Sequence, residues 1–438
     1  MAMSDRTIRN VFLYAAPKFA TYGLNLLTLP ILTRLLTPEE FGVATLAWVA
    51  PTIIVAVASM GISSAAQRFY FEYRDEPEKV DRLLFTGQAW LVFSLAISTV
   101  LVWVFQAQLA QLLLGSATYG IALFVAFLNS FISEFTNFYQ LQYQNLELAG
   151  RHSLLTVTKA TIQSLGGVLF VWAFDASYMG VLYGMLAGAV VSAGIGFVDI
   201  NRRRKRALDR AILKENLAYG AQLVPKAFTG YINRFFDKYM LNSMLSMSAV
   251  GVYNIGQTIG NAMNSIMITV WNAFQPVFYR EIFDDPDNGG HATGRIFSFF
   301  SYLVIAPCVV VVLFAPEIVK LLAPPSYAAA VSIIVLATAA MTTQAFGMFV
   351  GVQYAYTKKA WLIFPISVVG TLVNVGANIV LIPRLGLIGA GYATVLTYTV
   401  LNTSLAIVGQ RLYRVAYEGR LLVPVYVVVA TGAAFTLY

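Results

Sequence analysis

The stretch NLAYGAQLVPKAFTGYINRFFD, residues 216–237, is apolar enough to enter a bilayer and yet carries Lys226, Arg234 and Asp237. A charge at the centre of a membrane helix costs about 2.5 to 3.5 kcal/mol on insertion scales, so such groups are kept for a water-filled path or a binding cavity. A second version lies near the N-terminus. There RNVFLYAAPKFATYGLN sets Pro17 and Lys18 against Pro225 and Lys226, and Asn25 against Asn233, at an offset of 208 residues. On a helical wheel Lys226 and Asp237 differ by about 20° and Arg234 by about 80°, so the three share one broad face. That geometry allows an i, i+3 ion pair between Arg234 and Asp237 as well as separate roles in a cavity.

Composition sets the solvent. With 438 residues, 58% hydrophobic, 11% charged and a mean hydropathy of +0.69, the chain is outside the range of soluble domains and reads as an all-α polytopic membrane protein. The net charge of +8 fits cytoplasmic loops rich in Lys and Arg rather than nucleic acid. One cysteine, Cys308, excludes an internal disulfide or a cysteine metal cluster, and the two histidines, His152 and His291, fall in expected loops. No metal site, cofactor or catalytic triad is expected. The absence of a Walker motif or glycine-rich phosphate loop excludes an ATPase.

Apolar segments long enough to span a bilayer run at about 8–33, 41–66, 83–105, 117–144, 153–174, 177–199, 215–243, 248–278, 297–314, 328–354, 361–382 and 387–410. A thirteenth, 421–438, reaches the end of the sequence. The first is too long for a signal peptide and lacks a small-residue cleavage site, so it reads as an uncleaved anchor. The N-terminal tail and every second loop hold 21 Lys and Arg, against 3 (Arg34, Lys320 and Arg384) in the alternate loops. That bias places the N-terminus in the cytoplasm.

The halves repeat. Gly42-Val43 recurs as Gly251-Val252, Phe69-Tyr70 as Phe278-Tyr279, Gln142-Tyr143 as Gln353-Tyr354, and Gly180 with Tyr183 as Gly389 with Tyr392, at offsets of 208 to 211. A repeat of six helices is even, so its copies run parallel. The organisation expected is a lobe at 1–200, a basic linker at 201–214, a second lobe at 215–412 and a C-terminal turn with its apolar segment at 413–438. The linker NRRRKRALDRAILK reads as a solvated connector, with anionic lipid headgroups as the other partner its charge would suit.

Two helices carry polar stripes. Asn254, Gln257, Asn261, Asn264, Asn272 and Gln275 recur at spacings of 3, 4, 3, 8 and 3; Ser130, Ser133, Asn137, Gln140 and Gln144 do the same, with Glu134 beside them. Lipid cannot satisfy such stripes, so they face either a hydrated cavity or other helices through interhelical hydrogen bonds. Lys18 and Lys226 lie too deep to snorkel and read as cavity cations; Lys159 is shallow enough to do either. Glu134 is a counter-ion for a lysine or a protonatable coupling group. Five cations (Lys18, Lys159, Lys226, Arg234, Lys238) against Glu134 and Asp237 favour an anionic ligand. Gly180, Gly184 and Gly188, Gly256 with Gly260, and Gly347 with Gly351 are small-residue packing signals. Prolines inside the apolar spans, Pro17 and Pro225 among them, imply kinks.

The segments TIRNVFLYAAPKFATYGLNLLTLPILTRLLTPEEFGVATL, GISSAAQRFYFEYRDEPEK and NRFFDKYMLNSMLSMSAVGVYNIGQTIG resemble the polysaccharide transporter family, the Wzx-type oligosaccharide flippases. LTPEEFG before a helix, and R-x-x-D-K followed by G-x-Y, are the specific motifs, and the likeness covers about 5–412. It implies two six-helix lobes in a V around a central cavity, like those of the multidrug and toxin extrusion exporters and lipid II flippases of the same superfamily. It also implies alternating access of a polyprenyl-diphosphate-linked oligosaccharide, driven by an H+ or Na+ gradient. The residues that resemblance would employ on the diphosphate are Lys18, Lys226, Arg234 and Lys159. Cavity amides would be Asn25, Asn137, Gln140, Asn233, Asn254, Gln257, Asn261 and Asn264, and the coupling candidates Glu134 and Asp237. A monomer in membrane lipid is expected. The thirteenth segment departs from the twelve or fourteen helices of related proteins. A cation-coupled drug exporter would need carboxylates in excess of lysines, and a membrane polymerase or ligase a large external loop; the longest here is about 315–327.

Overall fold

The computed structural model describes residues 5–202, 207–284, 289–418 and 420. Among these, every regular element is a helix. Nine helical stretches have the length and apolar composition to cross a bilayer, which makes this a multi-pass membrane protein. The twelve expected segments fall mainly on helix, those at 41–66 and 215–243 in separate pieces; residues 421–438 lie outside the described residues. The chain divides into two compact units, Met1–Phe235 and Phe236–Tyr438.

In the first unit, α1 (Asp5–Leu35) is followed by α2 (Pro38–Val49), α3 (Thr52–Ser59) and α4 (Ile62–Tyr73). The LTPEEFG motif is a helix start. Thr37 accepts from the Glu40 backbone N–H while Glu40 accepts from Thr37, Pro38 fills the first helical position, and Ser177 donates to the Glu40 carboxylate at 2.5 Å. The segment expected as one helix over 41–66 is interrupted twice. Pro51 supplies no N–H, and the turn it ends is held by Tyr231 donating to the Ala50 carbonyl at 3.0 Å and Thr52 to that of Val49 at 2.6 Å. Met60 and Gly61 then both take the left-handed conformation. Carbonyls of the interrupted turn find donors on α5 (Pro77–Leu114): Ser94 donates to Ala58 at 2.5 Å and Trp90 to Ser59 at 3.3 Å. Non-helical backbone at membrane depth is tolerated only where it is satisfied in this way.

α6 (Gly120–Asn145), α7 (Ala149–Phe174) and α8 (Ser177–Asn201) complete the six expected spans of this half. The glycine stripe does close packing: a Cβ at Gly180 would meet Val171, one at Gly184 would meet the Gly167 backbone, and one at Gly188 the Lys159 carbonyl. Behind it lie Phe127, Phe131, Phe138 and Tyr139, each at most 1% exposed.

The units divide inside α10 (Val224–Met244) rather than at the basic segment 201–214. The reason is α9 (Arg210–Ala221), a separate helix where the sequence suggested the start of a longer one; it packs on α4 and α5. Gly220 and Gly61 touch backbone to backbone, Tyr73 donates to Glu215 at 2.7 Å, and Arg82 pairs with Asp209 at 3.5 Å. Asp209 caps α9 by accepting from the Ala211 and Ile212 N–H groups, at 2.9 and 3.2 Å. The Ile212 bond, with help from Ala211 and Arg82, holds its carboxyl below the usual aspartate range.

In the second unit, α11 (Met247–Asp284) starts on a single cap, Ser246 accepting from Ala249 N–H at 3.2 Å. α12 (Gly289–Leu313), the short α13 (Ala315–Leu322), α14 (Ala330–Tyr356), α15 (Ile363–Leu385) and α16 (Leu387–Leu412) follow. α13 lies where the sequence suggested only a loop. A core of Phe278, Phe297, Phe300 and Phe349 joins α11, α12 and α14. Gly256 and Gly260 face Ile333 and Ala337 as small-residue contacts, and Gly347 faces Asn402, but Gly351 has open space beside it and packs nothing. α10, with Lys226, Arg234, Asp237 and Lys238, and α11, with its amides, are not among the nine apolar spans.

Candidate functional site

Each unit holds a polar centre of its own. In the first, the stripe on α6 pairs with one on α7: Gln144 with His152 at 3.2 Å, Gln140 donating to Thr156 at 2.8 Å, and Lys159 donating to Ser133 at 2.7 Å. His152, Thr156, Lys159 and Gln163 are spaced 4, 3 and 4, one face of a helix, so the two stripes meet as an antiparallel ladder. Interhelical hydrogen bonding therefore accounts for the part of the stripe nearest the α6–α7 connection. Beyond Ser133 the ladder opens into a cavity of ≈ 290 Å³ lined by Trp48, Thr52, Ser130, Glu134, Lys159 and Gln163 among others. The far end of the α6 stripe, Ser130 and Ser133 with Glu134 beside them, lines this cavity, whose walls are all first-unit residues.

Lys159 does not snorkel; its ammonium reaches across to α6. Glu134 accepts from Ser63 at 2.5 Å and from Asn137 at 3.4 Å, and shares the cavity wall with Lys159. Ser63 lies in the first turn of α4, the turn that the Met60-Gly61 break creates, where the backbone dipole favours negative charge. The break thus places a donor and a helix start against the carboxylate. On the α1 side, the Asn25 side-chain oxygen accepts from Ser164 on α7 at 3.2 Å.

In the second unit Asp237 is 4% exposed. Asn378 donates to one carboxylate oxygen at 2.7 Å and Tyr253 to the other at 3.2 Å; Asn378 also donates to Asn374 at 3.2 Å, and Tyr253 is 3.3 Å from Thr394. The Asn378 side-chain oxygen is buried without a hydrogen-bond partner. Lys238, 6% exposed, donates to Gln257 at 2.5 Å. A cavity of ≈ 70 Å³ lies beside these groups, lined by Tyr253, Gln257, Asn261, Thr394 and Tyr398. Asn254 and Asn264 are half-buried on the same helix. A buried carboxylate, amide and hydroxyl oxygens, and one oxygen short of a donor form a setting for a small hard cation or a proton.

Of the expected residues, the structure brings Glu134, Asn137 and Lys159 to one centre, with Gln140 in the ladder leading to it, and Asp237, Gln257 and Asn261 to the other. The side chains of Lys18, Lys226, Asn233 and Arg234, and with them the Arg234–Asp237 pair, lie outside the described residues. Sequence reading missed Ser63, Tyr253, Asn374, Asn378 and Thr394. Asn374 and Asn378, four apart in an apolar helix, were detectable by the stripe test applied to the other helices.

An all-helical, multi-pass chain with buried charge in each unit has the form of a membrane transporter, and comparison with known proteins agrees. The chain belongs to the polysaccharide biosynthesis protein family, whose model matches residues 7–281. It is 32% identical over 106 residues to the succinoglycan biosynthesis transport protein ExoT of Rhizobium meliloti; the match takes in 24% of this chain and 20% of that protein. Among solved structures, an inward closed form of the lipid II flippase MurJ aligns with a TM-score of 0.75 at 11% identity, covering 97% of this chain and 92% of that one. An inward-facing MATE family transporter of the MOP superfamily aligns at 0.69 and 18%, covering 89% and 93%. At such identities the likeness is one of fold, and the expected MATE-like class is correct.

Proposed function

We propose that the protein is a flippase for a polyprenyl-diphosphate-linked oligosaccharide, carrying it from the cytoplasmic to the outer leaflet of a bacterial inner membrane by alternating access of its two repeats. The family match supports a place in polysaccharide export. The observation that carries the reading is the Lys159–Glu134 cavity, a cation and a carboxylate held together at membrane depth in a space of ≈ 290 Å³. Lys159, with Lys18, Lys226 and Arg234 from sequence, would engage the diphosphate, and the Asn and Gln stripes the sugars.

Coupling to H+ or Na+ falls to Asp237 and Glu134. Asp237 has the stronger support, because it is buried, accepts from Asn378 and Tyr253, and lies beside an Asn378 side-chain oxygen that lacks a donor. The excess of basic residues in alternate loops supports a cytoplasmic N-terminus. The reading needs neither a cofactor nor a catalytic residue. Headgroup accessibility of a lipid-linked oligosaccharide in proteoliposomes is its test: Lys226→Ala should abolish flipping and Lys159→Ala should weaken it, while membrane insertion persists in both. Full activity in both variants rejects the assignment of the cations.

A further inference from the structure

A third cavity, of ≈ 340 Å³, belongs to neither polar centre. Tyr143, Leu146, Leu148, Arg151, Asp199, Ile200 and Arg202 line it, where the C-terminal ends of α6 and α8 meet the start of α7. Asp199 is the fixed point: Tyr143 donates to it at 2.7 Å, and one Arg151 nitrogen reaches its two oxygens at 2.8 and 2.6 Å. That neutralises Arg151 only. Arg202 is exposed on the cavity wall with no carboxylate partner among the described residues, so two arginines stand against one aspartate. Glu147, between Leu146 and Leu148, is not part of the lining. The positive end of the α7 backbone dipole adds to the same sign.

The surroundings identify the kind of anion. The cavity sits at the ends of three membrane-length helices, the depth at which headgroups lie. One turn inward on the same faces are Leu154, three residues from Arg151 and 55% exposed, and Val198, four residues before Arg202 and 63% exposed. A soluble anion would gain nothing from an apolar flank. We infer that this cavity is a binding site for the phosphate headgroup of an anionic phospholipid, with Arg202 as the contacting cation, Arg151 held in place by Asp199, and the acyl chains along Leu154 and Val198.

The site is tested on the full-length protein in neutral detergent, reading the unfolding midpoint against added phosphatidylglycerol, phosphatidylcholine or inorganic phosphate. Phosphatidylglycerol should raise the midpoint saturably and phosphatidylcholine should not. Arg202→Gln, at an exposed position with no hydrogen-bond or ion-pair partner among the described residues, should weaken the phosphatidylglycerol response roughly fivefold, the contribution of one arginine at an anionic surface. Asp199→Asn, which raises the net charge of the cavity, should strengthen it in a folded variant. An undiminished lipid response in Arg202→Gln overturns the inference, and so does equal stabilisation by inorganic phosphate at the same concentration. Neither readout involves transport, so the outcome is independent of the flippase reading.

Discussion

The two units build a cavity from equivalent walls and fill it differently. Trp48, Thr52 and Val55 of the first cavity stand 209 residues before Gln257, Asn261 and Asn264, the amide face of α11, and in both units the facing wall includes the fourth expected span of the repeat, α6 or α14. In the first unit the opening wall is mainly apolar, and α6 and α7 supply Glu134 and Lys159 to a space of ≈ 290 Å³. In the second, the opening wall carries the amides, and Asp237 enters from α10 beside a space of ≈ 70 Å³. A roomy site with both signs of charge suits a group that brings its own charges, whereas a tight ring of oxygens around one carboxylate suits a bare ion. Duplication preserved the scaffold while the polar side chains diverged.

This contrast is broken most directly at Asp237. On the proposed function, Asp237→Ala removes the acceptor of two charge-assisted bonds, from Asn378 and Tyr253, worth about 1.5 to 3 kcal/mol each, and gradient-driven flipping should fall about a hundredfold or more. If the second centre is the ion site, flipping driven by a substrate gradient alone should suffer less. On the same reading, Lys159→Ala removes a charge-assisted bond of about 1.5 to 3 kcal/mol, which predicts a roughly tenfold to hundredfold loss in apparent affinity for the proposed lipid-linked substrate, with Lys159→Arg recovering part of it.

The helix contact behind each cavity separates the units again. Gly184→Ala should cost about 1 to 3 kcal/mol of thermal stability, because its Cβ would meet the Gly167 backbone. The position 209 residues later is already Ala393, fully buried, so the second unit accommodates the methyl group that the first cannot. The caps should differ less: Thr37→Ala and Ser246→Ala each remove one side-chain cap, worth about 1 kcal/mol, but Thr37→Ala also dissolves a capping box and should be the worse of the two by melting temperature.

The smallest effect concerns acid. Asp209 is held below its ordinary range in the fold, so its contribution is present above the unfolded aspartate value, about 4, and fades as pH drops through the lower folded value. Melting curves of the wild type and Asp209→Asn should therefore differ at neutral pH and converge in strong acid.

Much of this was legible in the sequence because the relevant signals are periodic. Helix positions follow from apolar runs, the repeat from constant offsets, and the α6 stripe from spacings of three and four. What was not legible depends on contacts distant along the chain or on single backbone angles. Nothing local to Met60 shows that it takes a positive φ; the turn is stabilised by Trp90 and Ser94 on another helix and by Gly220 far downstream. The grouping around Asp237 has a related cause: Tyr253 and Asn378, its hydrogen-bond donors, lie on two different helices, and although the Asn374–Asn378 spacing is visible in sequence, their convergence on Asp237 exists only in the folded unit. The glycine signal at 347 and 351 overreached because spacing alone does not show whether a neighbour stands opposite.

The meeting of Gly61 and Gly220 bears on how this protein can be labelled. Main chain rests on main chain there, and no side chain can be trimmed to admit a bulkier residue. A fluorophore or affinity tag spliced in ahead of Asp209 enters upstream of a capped and anchored helix, whereas the same insertion at Gln222 or Leu223 would fall directly behind the anchor and push on the helix that carries Asp237.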